Sequence, residues 1–448
     1  MQGRSPCANP KVRGDRMLNA HSLLDEFKLR GYWWLPDEPG NKIPGILHYN
    51  PEDSIRLELM GAFQGLITEG SVQIIWPLHP VRRPLILGTT DQGEDCTLFG
   101  VVESPKPSGN VENVQVWSNV HVSNLFVGGH FPDERALSFQ SMYVGFTHLE
   151  EWLGVDPLGA GFNFLPLPLE PTDPVELRLP YRSRKLFETD VPSLNAVISL
   201  WSSVEWESEA TRSLSLLHRA YFEVDAGGPR DYAWYLEVFQ LCRQLLAFLM
   251  GVPVYPSTVR TRRNERDINI YRSPMWQRRD SERFPPTRLP FPLIQAQAAA
   301  VVKTWLENAE TFRPVYDFAV SSYYDQRMNL QAQFLGLAQA LEIFDRRQRR
   351  GRYEFKQRLQ NLFDGLSEQT KDQIAGIGEH FIRTVEDTRN YLVHHDEPPE
   401  SKVLRGAKPY FDANKKLRAL LFVLLCKMLG IGEQDALMGT KLTSSDLL

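Results

Sequence analysis

Cysteine is scarce in this sequence, and its placement excludes more than its number. Cys7, Cys96, Cys242 and Cys426 lie far apart and form no CxxC pair. Neither a zinc ribbon nor a disulfide framework is expected from them, and a reducing, cytoplasmic location fits. Long apolar runs are missing as well. "ALLFVLLC", residues 419–426, is far shorter than the roughly 20 residues of a membrane span. It reads as a buried core helix, and no membrane association is expected. Residues 1–16 are polar and arginine-rich without an apolar stretch, which excludes a secretory signal there. They read as a disordered tail, with Met17 as an alternative start. The chain has no Walker A sequence, no dinucleotide glycine fingerprint and no G-x-S-x-G elbow. Internal repeats and low-complexity segments are absent too. A net charge of -5 gives no general attraction for nucleic acid, so such a ligand requires a local basic patch. At about 100–200 residues per domain, two or three domains are expected.

What is present divides the chain in two. Residues 30–130 are punctuated by Gly, Pro, Asn and Asp, and they contain short alternating segments. "DSIRLEL" alternates Ile55, Leu57 and Leu59 with polar neighbours, the mark of a half-buried strand. "VQIIW", "RPLILGTT", "CTLFGVV" and "NVHVSNLFVGG" are further strand candidates, and an antiparallel barrel or sandwich is the natural packing. "SFQSMYVGFTHLEEWLGVDP" reads as a helix ended by Gly154 and Pro157. "DYAWYLEVFQLCRQLLAFLMG", residues 231–251, reads as an amphipathic helix closed by Gly251. A proline cluster marks a boundary near residue 287, and the pattern after it is helical to the end. The expected fold class is therefore α+β, a β-rich domain over 17–287 followed by an all-α up-and-down bundle over 288–448.

Two arginine-rich stretches stand out. Residues 259–290 hold Arg260, Arg262, Arg263, Arg266, Arg272, Arg278, Arg279, Arg283 and Arg288, with Tyr271 and Trp276 among them. This stretch reads either as an RNA funnel with stacking aromatics or as a solvated linker or sheet edge. "RRQRRGR" places Arg346, Arg347, Arg349 and Arg350 at the end of a helix. They are candidates for RNA phosphate binding, although cations at a helix C-terminus have a dipole explanation of their own. Trp33 and Trp34 are adjacent and face opposite sides of a strand, one toward the core. His121 and His130 have no ligand partner at metal spacing and read as structural.

The pattern R-x(4–6)-H occurs at three places: Arg16 with His21, Arg212 with His218, and Arg389 with His394 or His395. Only the third lies on a strongly periodic segment, "TRNYLVHHD" and the residues before it. A helix from about Lys371 to His394 carries an apolar stripe of Ile374, Ile377, Phe381, Val385 and Leu392. Arg383, Glu386, Asn390 and His394 then fall on the opposite side, Asn390 and His394 are neighbours, and Arg389 lies beside the stripe. A fixed guanidinium recognises phosphate, and a histidine near neutrality is the usual general base. Together they suit RNA cleavage by 2′-OH attack, with no metal or other cofactor required. The plainer alternative pairs Arg389 with Glu386 or an acidic neighbour and leaves the histidines capping a helix end. On one ideal helix Arg389 and His394 stand about 140° apart, so the chemistry needs a distorted helix or a second chain.

"RNYLVHHD" resembles the R-[polar]-x(3–5)-H signature of HEPN domains, and "FLGLAQALEIFDR" resembles the preceding helix of ApeA-like HEPN domains. "GYWWLPDEPGNKIPGILHYNPEDSIRLELMGAF" (31–63), "NLFVGGHF" and "FQSMYVGFTHLEEWLG" are similar to blocks of the ApeA N-terminal domain. The resemblance covers most of residues 17–430. It implies a bacterial antiphage protein acting by abortive infection through a metal-independent endoribonuclease, commonly a homodimer. The N-terminal domain would then respond to a phage-derived trigger. Arg389 and His394 take the invariant catalytic positions and Asn390 the polar one, while His395 fits the longer spacing and competes with His394. Two other readings of the bundle are a non-catalytic module that binds RNA or a partner, and a ribonuclease toxin of a toxin–antitoxin pair.

Overall fold

The computed structural model describes residues 21–63, 66–69, 72–75, 80–110, 113–154, 183–209, 213–273, 287–325, 327–374, 376–394 and 402–442. The tail expected over 1–16, Trp276, Arg212 and His395 lie outside them. The chain divides into two compact units, Met1–Gly128 with Tyr271–Met275, and Gly129–Ile270 with Trp276–Leu448.

The first unit is built on antiparallel strands β1 (Phe27–Trp34), β2 (Ile43–Tyr49), β3 (Ile55–Leu59), β4 (Leu66–Glu69), β5 (Val72–Ile75), β6 (Val81–Thr90), β7 (Asp95–Asn110) and β8 (Asn113–Val127). β4 and β5 pair only with each other. The other six close on themselves in the order β1-β2-β3-β8-β7-β6-β1, a barrel with no free edge. Alternation explains the closure: Ile55, Leu57 and Leu59 are buried, as expected of that strand. Trp33 fills the interior because two neighbours lack side chains. A Cβ on Gly88 would meet the Trp33 ring at 2.2 Å, and one on Gly45 would meet it at 3.1 Å. Only one of the adjacent pair is expected in the core, but Trp34 is buried too, with the Lys42 ammonium 4.8 Å from its ring centre. A half-buried Arg83 meets the fully buried Glu103 at 2.7 Å, and Glu103 also accepts the Phe63 amide, so this buried carboxylate is paired.

The second unit begins with a six-stranded antiparallel sheet, β9 (Ser138–Phe146), β10 (Arg184–Val191), β11 (Ala196–Glu209), β12 (Ser213–Asp231), β13 (Pro256–Arg263) and β14 (Arg266–Arg272), in the order β10-β11-β12-β9-β13-β14. Two expectations are corrected here. The helix read over residues 138–157 is strand β9 followed by a single-turn helix α1 (Leu149–Leu153) that ends at Gly154. Met142, Val144 and Phe146 alternate into the core, a period of two that the charged turn after them obscures. The arginine-rich stretch is no linker at its start: β13 and β14 form a hairpin turned by Asn264 and Glu265, both at positive φ. Tyr271, at the end of this strand, belongs to the first unit; expected to stack RNA bases, it is buried there and packs edge-on against Phe27 and Tyr49.

Helix α2 (Tyr232–Met250) is present as the sequence suggests, with Asp231 capping its start and Gly251 in the left-handed conformation at its end. Its C-terminal half is buried on all sides, because the sheet covers one side and the helices α4 (Ala298–Glu307) and α5 (Ala309–Tyr324) another. Phe248 of α2 reaches both Trp305 and Phe422. The short α3 (Phe291–Ile294) precedes α4. Helices α6 (Leu330–Gln348), α7 (Phe355–Asp364), α8 (Glu368–Gln373), α9 (Glu379–His394), α10 (Ala407–Met428) and α11 (Glu433–Leu442) complete the bundle. "ALLFVLLC" lies inside α10, whose apolar residues are buried, and no helix is long and apolar enough to cross a membrane. The single helix expected over 371–394 is two. Gly376 at φ 87° separates α8 from α9, a conformation only glycine adopts easily.

Burial pushes the thiols of Cys96, Cys242 and Cys426 up, that of Cys242 to about 12, which leaves them poor nucleophiles. Glu433, at the start of α11, ties α11 to α8. It accepts from the Ser367 amide at 3.0 Å, Ser367 Oγ at 2.7 Å, Thr370 Oγ1 at 2.7 Å and Lys427 Nζ at 2.8 Å. Burial by itself raises this carboxyl, but those donors outweigh it and hold the group at about 2, against an ordinary 4.5. Because the folded value is depressed, the stabilisation is present above the ordinary value and is lost as pH falls through the folded one. Glu433→Gln is expected to cost about 1–3 kcal/mol at pH 7. In urea titrations the gap to the unaltered protein narrows between about pH 4.5 and pH 2; a pH-independent gap would show that the carboxylate is not the stabilising group.

Candidate functional site

Helices α6, α7 and α9 pack on one another. The buried line of α9 is Ile382, Val385 and Thr388, one step away from the stripe read in the sequence: Phe381 and Leu392 are only half-buried, and Ile374 and Ile377 precede the helix. Thr388, polar but fully buried, donates to the Thr384 carbonyl at 2.7 Å and accepts from the Leu404 amide at 3.0 Å. It thereby satisfies its hydroxyl and pins the chain that follows α9.

Arg389 comes next, half-buried at the edge of this line, and its partners are explicit. Nη2 meets Glu342 of α6 at 2.8 Å, Nη1 donates to the neighbouring Asn390 at 3.3 Å, and the guanidinium carbon sits 4.9 Å from the Phe355 ring centre. Glu342 is nearly buried, with a side-chain exposure of 10% against 26% for Arg389, and it also accepts from Arg346. One carboxylate therefore fixes two arginines. The alternative partner Glu386 does other work: it accepts the Lys356 amide at 3.2 Å in the first turn of α7, where a negative charge is favoured. Lys356 in turn reaches Glu379 at 3.2 Å, so α9 holds α7 by its N-terminus.

A second, deeper pair lies one helical step along α6. Asp345, fully buried, meets Arg358 of α7 at 2.9 Å and Arg349 at 3.5 Å. Arg358 also donates to the Gly351 carbonyl. Glu342, Asp345, Phe355 and Arg358 were missed from the sequence. The available signal was the pair of acids three residues apart on the face of α6 that also carries Ala338 and Leu341. Charge inside an apolar stripe calls for buried partners.

The candidate residues are thus only partly assembled. Arg389 and Asn390 touch. His394 stands exposed in the last turn of α9 with no hydrogen-bond partner among the described residues, and it is not brought onto Arg389. Of the candidate phosphate-binding arginines, Arg346 and Arg349 are engaged by acids, and Arg349 also donates to the Asn361 carbonyl. Arg347 and Arg350 are exposed and make no ion pair among the described residues. His121 lies exposed on β8. Among the described residues no group of three or more His, Cys, Asp or Glu is placed to hold a metal ion.

Chemically, this corner offers a guanidinium oriented from three sides beside an exposed imidazole on the same helix. If the Arg389–Glu342 contact holds in solution, a double-mutant cycle of Arg389→Gln and Glu342→Gln in urea denaturation yields a coupling of about 1–3 kcal/mol. A coupling near zero would show that the two side chains do not orient each other.

Comparison with known families matches the model described as ApeA N-terminal domain 1 over residues 28–305, more than half of the chain. It matches the Apea-like HEPN model over residues 335–435, the span that carries Glu342, Arg346, Arg389 and His394. HEPN domains are generally nucleases, so this half of the match supports ribonuclease-type function in ApeA-like defence. No curated protein matches the chain, and no solved structure does.

Proposed function

From the premise that the chain belongs to the family defined by ApeA N-terminal domain 1 and carries an ApeA-like HEPN domain behind it, we propose that it is a metal-independent endoribonuclease of antiphage defence, acting in the cytoplasm by abortive infection. In this reading residues 288–448 cut RNA, and residues 17–287 restrain the cut until a phage-derived trigger arrives. One observation carries the assignment: Arg389 is held by Glu342, Asn390 and Phe355 on the same helix as the exposed His394.

The reaction follows from those groups. His394 takes the 2′-OH proton, the 2′ oxygen attacks the adjacent phosphorus, and the bond from phosphorus to the 5′ oxygen breaks. The leaving oxygen takes a proton from a histidinium, and the products are a 2′,3′-cyclic phosphate and a 5′-hydroxyl. Arg389 stabilises the charge gathering on the phosphate oxygens, and Asn390 orients Arg389. A second copy of the chain supplies the acid, because one helix turns Arg389 and His394 about 140° apart. Arg347 and Arg350, exposed and without acidic partners among the described residues, are the arginines of their cluster best placed to meet RNA backbone.

Cleavage of a mixed RNA substrate in EDTA tests this. Arg389→Ala and His394→Ala are each expected to slow cutting by roughly 10²–10⁴-fold, while His395→Ala leaves it near the unaltered rate. Sedimentation velocity should find activity only in dimeric fractions. If the Arg389/His394 double variant cuts RNA as fast as the unaltered protein, the site is elsewhere. RNA binding that survives both substitutions, with no cleavage by any form, would instead make the bundle a binding module.

A further inference from the structure

A second cluster of arginines lies in the bundle away from Arg389, and its charges are not balanced. Arg288, in the segment before α3, is 5% exposed. Its backbone is strapped to the end of α2 through the Met250 carbonyl, and its stem crosses Gly251, where a Cβ would meet Nε at 2.9 Å. Its guanidinium lies 5.3 Å from the Tyr323 ring and 5.0 Å from the Phe422 ring. Nε is buried without a hydrogen-bond acceptor, and so is the hydroxyl of Tyr323. No Asp or Glu forms an ion pair with Arg288 among the described residues. Asp435 and Arg288 both act on the Cys426 thiol, in opposite directions, but Asp435 makes no ion pair with Arg288 among the described residues.

Arg418, one turn before Phe422 on α10, opens this cluster toward solvent. It donates to Ser322 at 3.3 Å and to Gln333 at 3.2 Å, both neutral acceptors. Burial above all disfavours the charged form of Arg418; the Tyr323 hydroxyl opposes this, and the like charge of Arg288 adds to it. The nearby start of α6, where Gln333 sits, contributes the positive end of a helix of 19 residues.

Two guanidiniums and a phenol thus stand together in largely buried surroundings, and neither guanidinium is in ion-pair contact with a carboxylate among the described residues. Arginine cannot escape such a position by losing its proton, as lysine can. A buried cation without a partner is costly, and the aromatic faces around Arg288 offset only part of that. The remaining demand is for an anion that accepts from several donors at once. We propose that Arg288, Arg418 and Tyr323 form a binding site for a small phosphate-bearing anion, distinct from the Arg389 site. Arg418 and the Tyr323 hydroxyl would donate to the phosphate oxygens, and Arg288 would supply charge from behind. The site joins the strap after α2 to the end of α5, the start of α6 and the middle of α10, so its ligand would tie all three helices to the segment that leaves the sheet half. The proposal stands apart from the ribonuclease reading and needs no cleavage activity for its test.

Thermal unfolding of the full chain at constant ionic strength reads it. Inorganic phosphate and a nucleoside 5′-monophosphate are titrated separately against sodium chloride. Expected is a saturable rise in Tm of several degrees with at least one of them. A stronger response to the nucleotide identifies a phosphate ester as the ligand, and equal responses identify free phosphate. Arg418→Gln should abolish the rise, Arg418→Lys should weaken it, and Arg350→Gln should leave it intact. Arg418 is the less buried of the two arginines, so these variants serve even if Arg288→Met fails to fold. No saturable rise with either anion, or an equal rise in Arg418→Gln, overturns the site.

Discussion

The second unit depends on the burial of one helix from both sides. From Leu241 to Met250 every residue of α2 is buried, which happens only when a helix is covered all round. One side faces the sheet. Another meets α4 and α5, and Phe248 reaches Phe422 of α10. A helix so enclosed has no solvent face on which to rotate or slide freely, because packed interiors resist small displacements. The sheet and the bundle of this unit therefore share one core. Within this unit the sheet also meets the bundle directly where α4 packs on β10, and Leu289 of the strap is hydrogen-bonded to the Leu249 carbonyl.

Around Arg389 the governing constraint is Glu342. A carboxylate next to the guanidinium looks at first like a block on phosphate binding. The count of donors argues otherwise. Guanidinium has five N–H groups; Glu342 takes from Nη2 and Asn390 takes from Nη1, which leaves donors for a substrate. Glu342 is also neutralised by Arg346, so the cluster of Arg346, Glu342 and Arg389 keeps a net positive charge. Orientation without masking is what electrostatic catalysis needs.

Much of this architecture was legible. Ile55, Leu57 and Leu59 announced a strand by strict alternation, and Asp231 with Gly251 bracketed α2. The bundle followed from helical periodicity beyond the proline cluster. The failures share a cause, which is that local pattern is silent about distant partners. "SFQSMYVGF" carries only Gly145 as a break before "THLEEWL", so strand and helix run together in the sequence, and the neighbours β12 and β13 decide the matter. Gly376 and Gly378 carried the signal of a broken helix, yet the flanking apolar spacing suits a continuous one. At the site, Arg389 and Asn390 were read from their motif. Glu342 lies 47 positions earlier, and nothing in spacing joins it to Arg389.

The geometry of α9 also narrows how the motif could be completed. Two routes were open from the sequence, a bend before His394 or a second chain. The described helix continues through His394, and its buried residues Ile382, Val385 and Thr388 keep helical spacing. On such a helix Arg389 and His394 differ by about 140° in direction and roughly 7.5 Å along the axis. Arg389 is anchored inward by a nearly buried acid, so it does not swing to meet the histidine. His394 and the half-exposed Val393 beside it stand at the free end of the helix. In the proposed dimer, two such ends related by a twofold axis would bring each histidine toward the other chain's arginine. On the proposed reading, a composite site is the arrangement in which the inward hold on Arg389 and the outward placement of His394 would serve the same chemistry.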